Sequence, residues 1–152
     1  MSAVEVTPAE VGDEPVLRRL MELYRHDFSE FDDGDVGDHG TFGYPFLALY
    51  WLESHRHPFL IRVAGRLAGF ALVRGGATHK MAEFFVMRKY RRQGVGVTAA
   101  RDVFARFPGP WRVHQVPGND AAVAFWRRAI ETPFTEVSDA DGTFQSFVQP
   151  GA

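Results

Sequence analysis

The stretch Phe84–Arg101, FFVMRKYRRQGVGVTAAR, joins an apolar strand, a basic loop and a helix that begins at a glycine-rich turn. The predicted strand ends at Val86, the loop spans residues 88–93, and Gly94 and Gly96 lie in the first helical turn. Main-chain amides at a helix start lack intrahelical acceptors and, with the helix dipole, attract anions. Glycine lets a phosphate approach the backbone, because no Cβ is in the way. The pattern favours a diphosphate site, and the plainer alternative is a glycine-rich turn with solvated basic residues.

Two common diphosphate motifs differ in how well they fit this stretch. The P-loop pattern has no match in the chain, whereas the dinucleotide pattern G-x-G-x-x-[GA] matches at Gly94, Gly96 and Ala99. However, a polar and basic loop separates the strand from the first glycine, and the next predicted strand ends in Gln115 and Val116 instead of an acid. The sequence therefore favours a diphosphate ligand other than NAD or FAD.

Strands and helices are predicted on both sides of this stretch. The predicted strands are 4–6, 59–63, 66–74, 79–86, 111–116, 134–137 and 143–148. The predicted helices are 14–26, 46–55, 94–107 and 120–130, the last with Asn119 as its N-cap. Hairpins interrupted by strand–helix–strand crossovers imply an α/β (α+β) fold, with a mixed, largely antiparallel sheet flanked by helices. One domain, residues 1–152, is predicted.

Two blocks of the chain resemble the GNAT superfamily of N-acetyltransferases. The run Val86–Gly96, VMRKYRRQGVG, is similar to the family's acetyl-CoA signature, in which [QR]-x-x-G-x-[GA] opens a helix. Arg91, Gly94 and Gly96 fill the three defining positions. Four residues of the later helix resemble the family's N-x-x-A-x-x-F-Y block: Asn119, Ala122, Phe125 and Trp126. The resemblance implies a GNAT-like fold over nearly the whole chain.

The resemblance also implies acetyl-CoA as the co-substrate, with no metal. In the family, the strand that here ends at Val86 and the strand 111–116 splay apart, and pantetheine lies between them. Backbone groups of three residues would hold the pantetheine and the thioester carbonyl: Phe85, Val86 and Met87. Amides of six residues would hold the diphosphate: Arg91, Arg92, Gln93, Gly94, Val95 and Gly96. The remainder of the cofactor and its sulfur would contact Asn119, Phe125 and Trp126.

One departure from the family concerns the proton that the CoA sulfur receives. Trp126 replaces the usual tyrosine, and an indole N–H cannot serve as a proton source near neutral pH. Tyr90, a tyrosine of the long loop or a water would replace it, or no acid is needed, because CoA thiolate is a good leaving group. The family's closing Gly-Phe is also absent, and residues 129–134 stand in its place. A catalytically inactive, acetyl-CoA-binding regulatory module is therefore the alternative function.

Glu83 is the predicted catalytic base. It is the only acid in an otherwise apolar predicted strand, two to three residues before the predicted thioester site. Acetyl transfer to an amine requires a group that removes a proton, and burial would raise the pKa of this carboxyl to a useful value. The alternative is a structural carboxylate paired with Lys80 or Arg88.

An acidic stretch suggests how an acceptor is attracted. Residues 27–38 contain six Asp or Glu and no Lys or Arg, and they fall in a predicted long loop between the first two helices. Such a loop would attract a cationic amine; a solvated loop and a calcium loop are the alternatives. The predicted acceptor is a primary amine of a cationic small molecule or of a peptide. A longer acyl donor remains open.

Composition limits the other classes of function. The chain of 152 residues has no cysteine, which excludes a disulfide framework, a cysteine nucleophile and thiolate metal sites. The net charge of -2 argues against a nucleic-acid partner. No apolar run is long enough for a membrane span, and the start MSAVEVTPAE lacks the pattern of a signal peptide. A cytoplasmic protein without a membrane partner is predicted, and a homodimer is one option because dimers are common among related enzymes.

Overall fold

Seven strands form one open, mostly antiparallel sheet in the computed structural model, which describes residues 3–151. The strands are β1 (Val4–Pro8), β2 (Arg56–Val63), β3 (Arg66–Arg74), β4 (His79–Val86), β5 (Gly109–Gln115), β6 (Phe134–Asp139) and β7 (Gly142–Gln149). The helices are α1 (Glu14–Asp32), α2 (Leu49–Leu52), α3 (Val95–Arg106) and α4 (Asp120–Ala129). The order across the sheet is β1-β2-β3-β4-β5-β7-β6. The predicted mixed, largely antiparallel α/β fold is confirmed.

Helices cover both faces of the sheet. On one face, Leu17, Leu20 and Met21 of α1 follow helical spacing and pack on a cluster that includes Phe70 and Phe85. On the other face, the buried side chains of α3 and α4 pack on strand residues of opposite alternation. The sheet is therefore the middle layer of three, and a side chain's position in the strand decides which helices it meets.

The sheet opens at its centre, between β4 and β5. These strands run parallel, and only His79 with Trp111 and Lys80 with Arg112 are paired. Beyond Lys80 the two strands have no pairing with each other in the described chain, whereas β4 keeps its partner β3 as far as Val86. The gap between the strands is the place where a ligand can enter the sheet.

A β-bulge in β4 changes the direction of Glu83. Leu72 of β3 pairs with Glu83, whereas the next residue, Val73, pairs with Met81, so Ala82 is an extra residue in β4. A bulge reverses the alternation of the side chains that follow it. Met81 accordingly packs on the α3 side of the sheet and Glu83 lies with the α1 side.

Three predicted elements differ from the observed ones. Helix α1 continues to Asp32 instead of ending near residue 26 and leading into a loop. The reason is aromatic spacing: the rings of Tyr24 and Phe28, one turn apart, lie 5.6 Å from each other, and those of Phe28 and Phe31 lie 6.2 Å apart. The second helix is limited to α2, because the preceding residues form turns.

Strand β2 begins at Arg56, three residues before its predicted start. Pro58, which lies just before the predicted strand 59–63, is instead part of β2 and is paired with Leu72 of β3. The ladder with β1 covers residues 59–63, and directly beyond it the amide of Ala9 donates to the carbonyl oxygen of Pro58 at 2.9 Å, so Pro58 lies at the end of that ladder, where its missing N–H is tolerated. The other elements agree with prediction to within two residues at each end. No helix of residues 3–151 has the length and apolar character needed to cross a membrane.

Candidate active site

Two cavities meet at the opening between β4 and β5. The larger, of about 680 Å³, is bounded by α1, the end of β4, the start of α3 and the start of α4. The smaller, of about 340 Å³, lies between the diverging strands and is lined by residues of β4 and β5, among them Glu83 and Gln115. Together they form a continuous site that reaches from the surface into the sheet.

The start of α3 forms one wall of the larger cavity. Gly94 is the N-cap and has a φ of 79°, in the left-handed region that favours glycine. A Cβ built on Gly94 would meet nothing within 4 Å, so the space in front of it is open. Arg92 has a φ of 62°, an uncommon conformation for a side chain with a Cβ. The loop thus bends tightly to present the first amides of α3 to the cavity.

Gly96 has a different role from Gly94. A Cβ at this position would lie 2.8 Å from Cε1 of Phe125, which packs across α3 from α4. Phe125 and Trp126 in turn contact the ring of Phe84, with centroid distances of 5.6 and 5.2 Å. Gly96 therefore allows α3 and α4 to approach each other at the floor of the cavity.

Four arginines line the larger cavity: Arg88, Arg91, Arg92 and Arg128. Two of them are paired with Asp27 of α1, at 2.8 Å from Arg88 and 2.6 Å from Arg91. Nε of Arg91 also donates to the carbonyl oxygen of Val86, at 2.7 Å. These contacts fix α1 to the loop before α3 and leave the cavity with a positive excess, which suits an anionic ligand.

The structure brings most of the predicted cofactor residues together. Nine line the larger cavity: Phe85, Val86, Arg91, Arg92, Gly94, Gly96, Asn119, Phe125 and Trp126. Three do not: Met87, Gln93 and Val95. Val95 is buried in the core, and the Gln93 side chain donates to the carbonyl of Lys89. The amide of Met87 donates to Ala68 and its carbonyl accepts from Tyr90, so both groups are already engaged.

The direction of the main-chain N–H groups distinguishes Val86, at the end of β4, from its neighbours. In an antiparallel ladder, successive residues point their N–H groups to opposite sides. Since the N–H of Met87 is directed to β3, the N–H of Val86 is directed away from β3, toward the opening. Asn119 accepts a hydrogen bond from the amide of Ala122 at 3.2 Å and caps α4 at the same opening.

One protein family matches most of the chain, including the principal walls of both cavities. The model of the Acetyltransferase (GNAT) family matches residues 17–130. The chain belongs to this family. It is therefore an acetyltransferase of the CoA-dependent kind, as the resemblance in its sequence implies. No protein of curated function is similar to it in sequence at a significant level.

Solved structures of N-acetyltransferases share the fold of this acetyltransferase. PaiA N-acetyltransferase from Thermoplasma acidophilum, in complex with coenzyme A, is 11% identical with a TM-score of 0.71, covering 96% of this chain and 99% of that one. Spermidine N-acetyltransferase from Vibrio cholerae, in complex with CoA and spermine, is 11% identical with a TM-score of 0.68, and the match covers 96% of this chain and 95% of that one. The ribosomal-protein-S18-alanine N-acetyltransferase from Escherichia coli is 15% identical with a TM-score of 0.67, covering 99% and 97%.

Glu83 lies in an unusual environment within the acetyltransferase. Burial raises the pKa of its carboxyl to about 7, although the hydroxyl of Tyr24 and the charge of Arg25 act in the opposite direction. Its side chain is partly buried and lines the smaller cavity. The alternative, a Glu83 carboxylate paired with Lys80 or Arg88, is not observed among the described residues, and Arg88 pairs with Asp27 instead. A carboxyl with this pKa can exchange protons near neutral pH.

The sequence did not identify the wall formed by α1. Tyr24, Phe28 and Phe31 line the larger cavity, and their helical spacing in the sequence could have indicated one aromatic helix face at the site. The loop that follows α1 is held by Glu22, whose two carboxylate oxygens accept from the amides of Phe42 and Gly43, each at 2.8 Å. The acetyltransferase thus closes one side of its site by contacts between residues far apart in the chain.

The six acids of residues 27–38 lie in different environments. Asp27 is paired with arginines, and Asp32 accepts from the amide of Gly34 and lies 3.8 Å from Arg25. Glu30 lines the larger cavity. The other three acids are exposed and line neither cavity: Asp33, Asp35 and Asp38. No group of three or more His, Asp or Glu among residues 3–151 is arranged to hold a metal ion.

Proposed function

We propose that this acetyltransferase transfers the acetyl group of acetyl-CoA to a primary amine of a cationic small molecule or of a peptide. The observation that carries the proposal is Glu83, a carboxyl with a pKa near 7 at the cavity between the splayed strands. The structurally similar spermidine and ribosomal-protein-S18-alanine N-acetyltransferases are named for amine acceptors of these two kinds.

The shape of the larger cavity supports acetyl-CoA as the donor. The diphosphate would lie in the open space before Gly94, near the first amides of α3 and the side chains of Arg91 and Arg92. The pantetheine would enter the gap beside β4, with Phe125 and Trp126 as its apolar floor. The donors and the shape present fit a long ligand with an anionic middle.

Glu83 and Val86 supply the groups that acetyl transfer requires. The amine must lose a proton as its nitrogen attacks the thioester carbon, and Glu83 in its ionised form would take that proton. The carbonyl oxygen becomes negative in the same step, and the N–H of Val86 would donate to it. Such a donor typically contributes about 2.7–4 kcal/mol to the transition state.

The pH dependence of the rate tests the role of Glu83. Because only the ionised carboxylate accepts a proton, kcat/KM should rise with pH through about 7. Glu83→Gln should lower kcat/KM by roughly 100-fold at pH 8 and abolish its rise with pH through about 7. Glu5→Gln, a change at an exposed strand residue, is the matched control and should keep the wild-type profile. A Glu83→Gln enzyme with an unchanged profile would disprove the base role.

Cofactor binding is tested separately by thermal unfolding with acetyl-CoA, with NADH as the control. A ligand at 100 times its Kd adds about 2.7 kcal/mol and should raise the midpoint by several degrees. A rise with acetyl-CoA alone supports the proposal. No rise with acetyl-CoA contradicts the donor, and a rise with NADH would restore the dinucleotide interpretation.

Trp126 favours a second candidate, an inactive acetyl-CoA-binding regulatory module. It stands where the family has a tyrosine, and it is buried against Phe84 and Phe104. The two functions differ in whether CoA thiol is released when an amine is added. Thiol release should be measured with spermidine and with a short peptide bearing a free amino terminus. Binding of acetyl-CoA without release from any amine would favour the regulatory module.

A further inference from the structure

Six side chains line both cavities and mark their junction: Tyr24, Phe28, Phe84, Asn119, Ala122 and Trp126. The larger cavity contains the basic residues suited to the diphosphate, and the smaller contains Glu83. A thioester that extends from one toward the other would therefore place its sulfur near the junction. The inference that follows rests on the proposed function, since it concerns the fate of that sulfur.

Three of the six junction side chains carry a polar hydrogen. The amide of Asn119 and the indole of Trp126 do not give up a proton near neutral pH. The hydroxyl of Tyr24 is thus the one proton source among the described side chains that line both cavities.

The ring of Tyr24 is held in a defined position against the sheet. It meets Phe70 edge-on, at a centroid distance of 5.6 Å and an angle of 80°. It meets Phe85 at 5.8 Å and 62°, and Phe28 packs on it from the same helix at 5.6 Å. Three aromatic neighbours restrict the ring. Its hydroxyl is close enough to Glu83 to lower the pKa of that carboxyl, and both residues line the smaller cavity.

We propose that Tyr24 protonates the CoA sulfur, in place of the tyrosine that Trp126 replaces in α4. The amine nitrogen bonds to the acetyl carbon, and Glu83 takes a proton from that nitrogen. The C–S bond breaks, its electron pair stays on sulfur, and sulfur takes the proton of Tyr24. Protonated Glu83 then returns its proton to the Tyr24 oxygen. One proton has moved from the amine to the thiol, and both side chains are restored.

The surroundings of Tyr24 keep its hydroxyl protonated until the sulfur becomes negative. Burial, the Glu83 carboxylate and Tyr44 raise the pKa of Tyr24 well above 10, and the charge of Arg25 opposes this. When Glu83 takes the amine proton, its negative charge disappears and Tyr24 can turn its hydrogen toward sulfur. Tyr90, by contrast, lines neither cavity and packs in the core on the α3 side.

Tyr24→Phe tests this role and keeps the ring that packs on the sheet. We expect kcat for acetyl transfer to fall by roughly 100-fold, with little change in the KM for acetyl-CoA. Tyr90→Phe removes a hydroxyl from a buried tyrosine outside the site and should retain the wild-type kcat. A Tyr24→Phe enzyme with wild-type kcat would overturn the proposal.

A titration of the bound CoA thiol is independent of the amine. A hydroxyl that donates to sulfur stabilises the thiolate and lowers the pKa of the thiol. Thiolate absorbance should therefore show bound CoA to be roughly 10-fold less acidic in Tyr24→Phe than in the wild type and in Tyr90→Phe. Equal acidity in all three proteins would overturn the role of Tyr24. If no amine releases CoA from the wild type, the proposed function fails, whereas this titration still decides whether Tyr24 contacts the sulfur.

Discussion

The two long walls of the larger cavity are built in different ways. The main-chain wall, Arg91–Val97, faces the cavity with helix-terminal amides and depends on backbone conformations at Arg92 and Gly94. The α1 wall, Tyr24–Phe31, faces the cavity with side chains. The first wall is contained in seven consecutive residues, whereas the second acquires its shape from ion pairs and aromatic contacts with β3, β4 and the loop before α3.

This difference separates the binding of one donor, which members of a family can share, from the choice of acceptor, which can differ between members. An amide has the same chemistry whatever its side chain, so a wall of amides can bind one cofactor in many sequences. The α1 wall, by contrast, faces the site with particular side chains, and it adjoins the cavity that contains Glu83. We therefore expect the main-chain wall to determine the donor and the α1 wall to contribute to the choice of acceptor.

The largest effect should follow from breaking the main-chain wall with Gly94→Asp. The new carboxylate would project into the open space before α3 and repel the diphosphate, weakening acetyl-CoA binding by at least roughly 100-fold. Gly65→Asp is a matched control, because Gly65 has the same φ of 79° and nothing within 4 Å of a built Cβ, but lies in the β2–β3 turn.

Isothermal titration with acetyl-CoA would measure both glycine variants. Each should lose a similar, small amount of stability from the left-handed backbone, and only Gly94→Asp should lose affinity. Equal affinities in the two variants would show that the amides of α3 do not hold the diphosphate.

The second-largest effect concerns the free energy of unfolding that is lost because Glu83 is buried near the α1 wall and ionises there. The pKa of a solvated glutamate is 4.5 and that of Glu83 in the folded chain is about 7, so the unfolded state releases its proton first as the pH rises. Stability is therefore lost between about pH 4.5 and 7 and stays lower above this window. Glu83→Gln should be more stable than the wild type at pH 8, by about 1–3 kcal/mol.

Urea unfolding at pH 8 and at pH 5 would measure this gain in the free energy of unfolding. The difference between Glu83→Gln and the wild type should shrink at the lower pH, where the native carboxyl is protonated. A difference that is the same at both pH values would show that Glu83 has an ordinary pKa.

The smallest effect should come from loosening the loop that adjoins the α1 wall. Glu22→Gln keeps one carbonyl acceptor but loses the charge and one of the two bonds to Phe42 and Gly43. We expect a loss of about 1 kcal/mol in local stability, seen as faster hydrogen exchange of these two amides. Acetyl-CoA affinity should remain unchanged. If its affinity fell as well, the two walls would not be independent.

The elements that the sequence predicted best are those with local signals. Strands β3 and β4 were predicted to the residue, because the apolar run of β3 lies between two glycine turns and that of β4 between a glycine turn and the basic loop. The start of α3 was equally clear, since Gly94 and Gly96 are required there by conformation and by packing. The strand boundaries and the conformation at Gly94 depend on neighbours in the chain, which a single sequence contains. Gly96 was recognised from its place in the family's motif, although its packing partner, Phe125, is distant in the chain.

The features that escaped prediction depend on distant contacts. The bulge at Ala82 has no signal in the sequence MAEFFV, and strict alternation would place Met81, Glu83 and Phe85 on one face. The pairing register with β3 instead places Met81 on the opposite face from Glu83 and Phe85. The extension of α1 was missed because its acidic residues suggested a loop, although the aromatic residues at helical spacing favoured a helix.

The divergence of β4 and β5 also leaves the sheet with an internal edge. An unpaired strand at the rim of a sheet can recruit a strand of another chain and begin aggregation. Here the unpaired side of β4, from Met81 to Val86, lies at the centre of the sheet, between α1 and α4. A neighbouring protein's strand would have to pass both helices to reach it, whereas a thin, flexible chain can enter. The acetyltransferase thus has a row of strand hydrogen-bonding groups that a thin ligand can reach and that a pairing strand of another protein cannot.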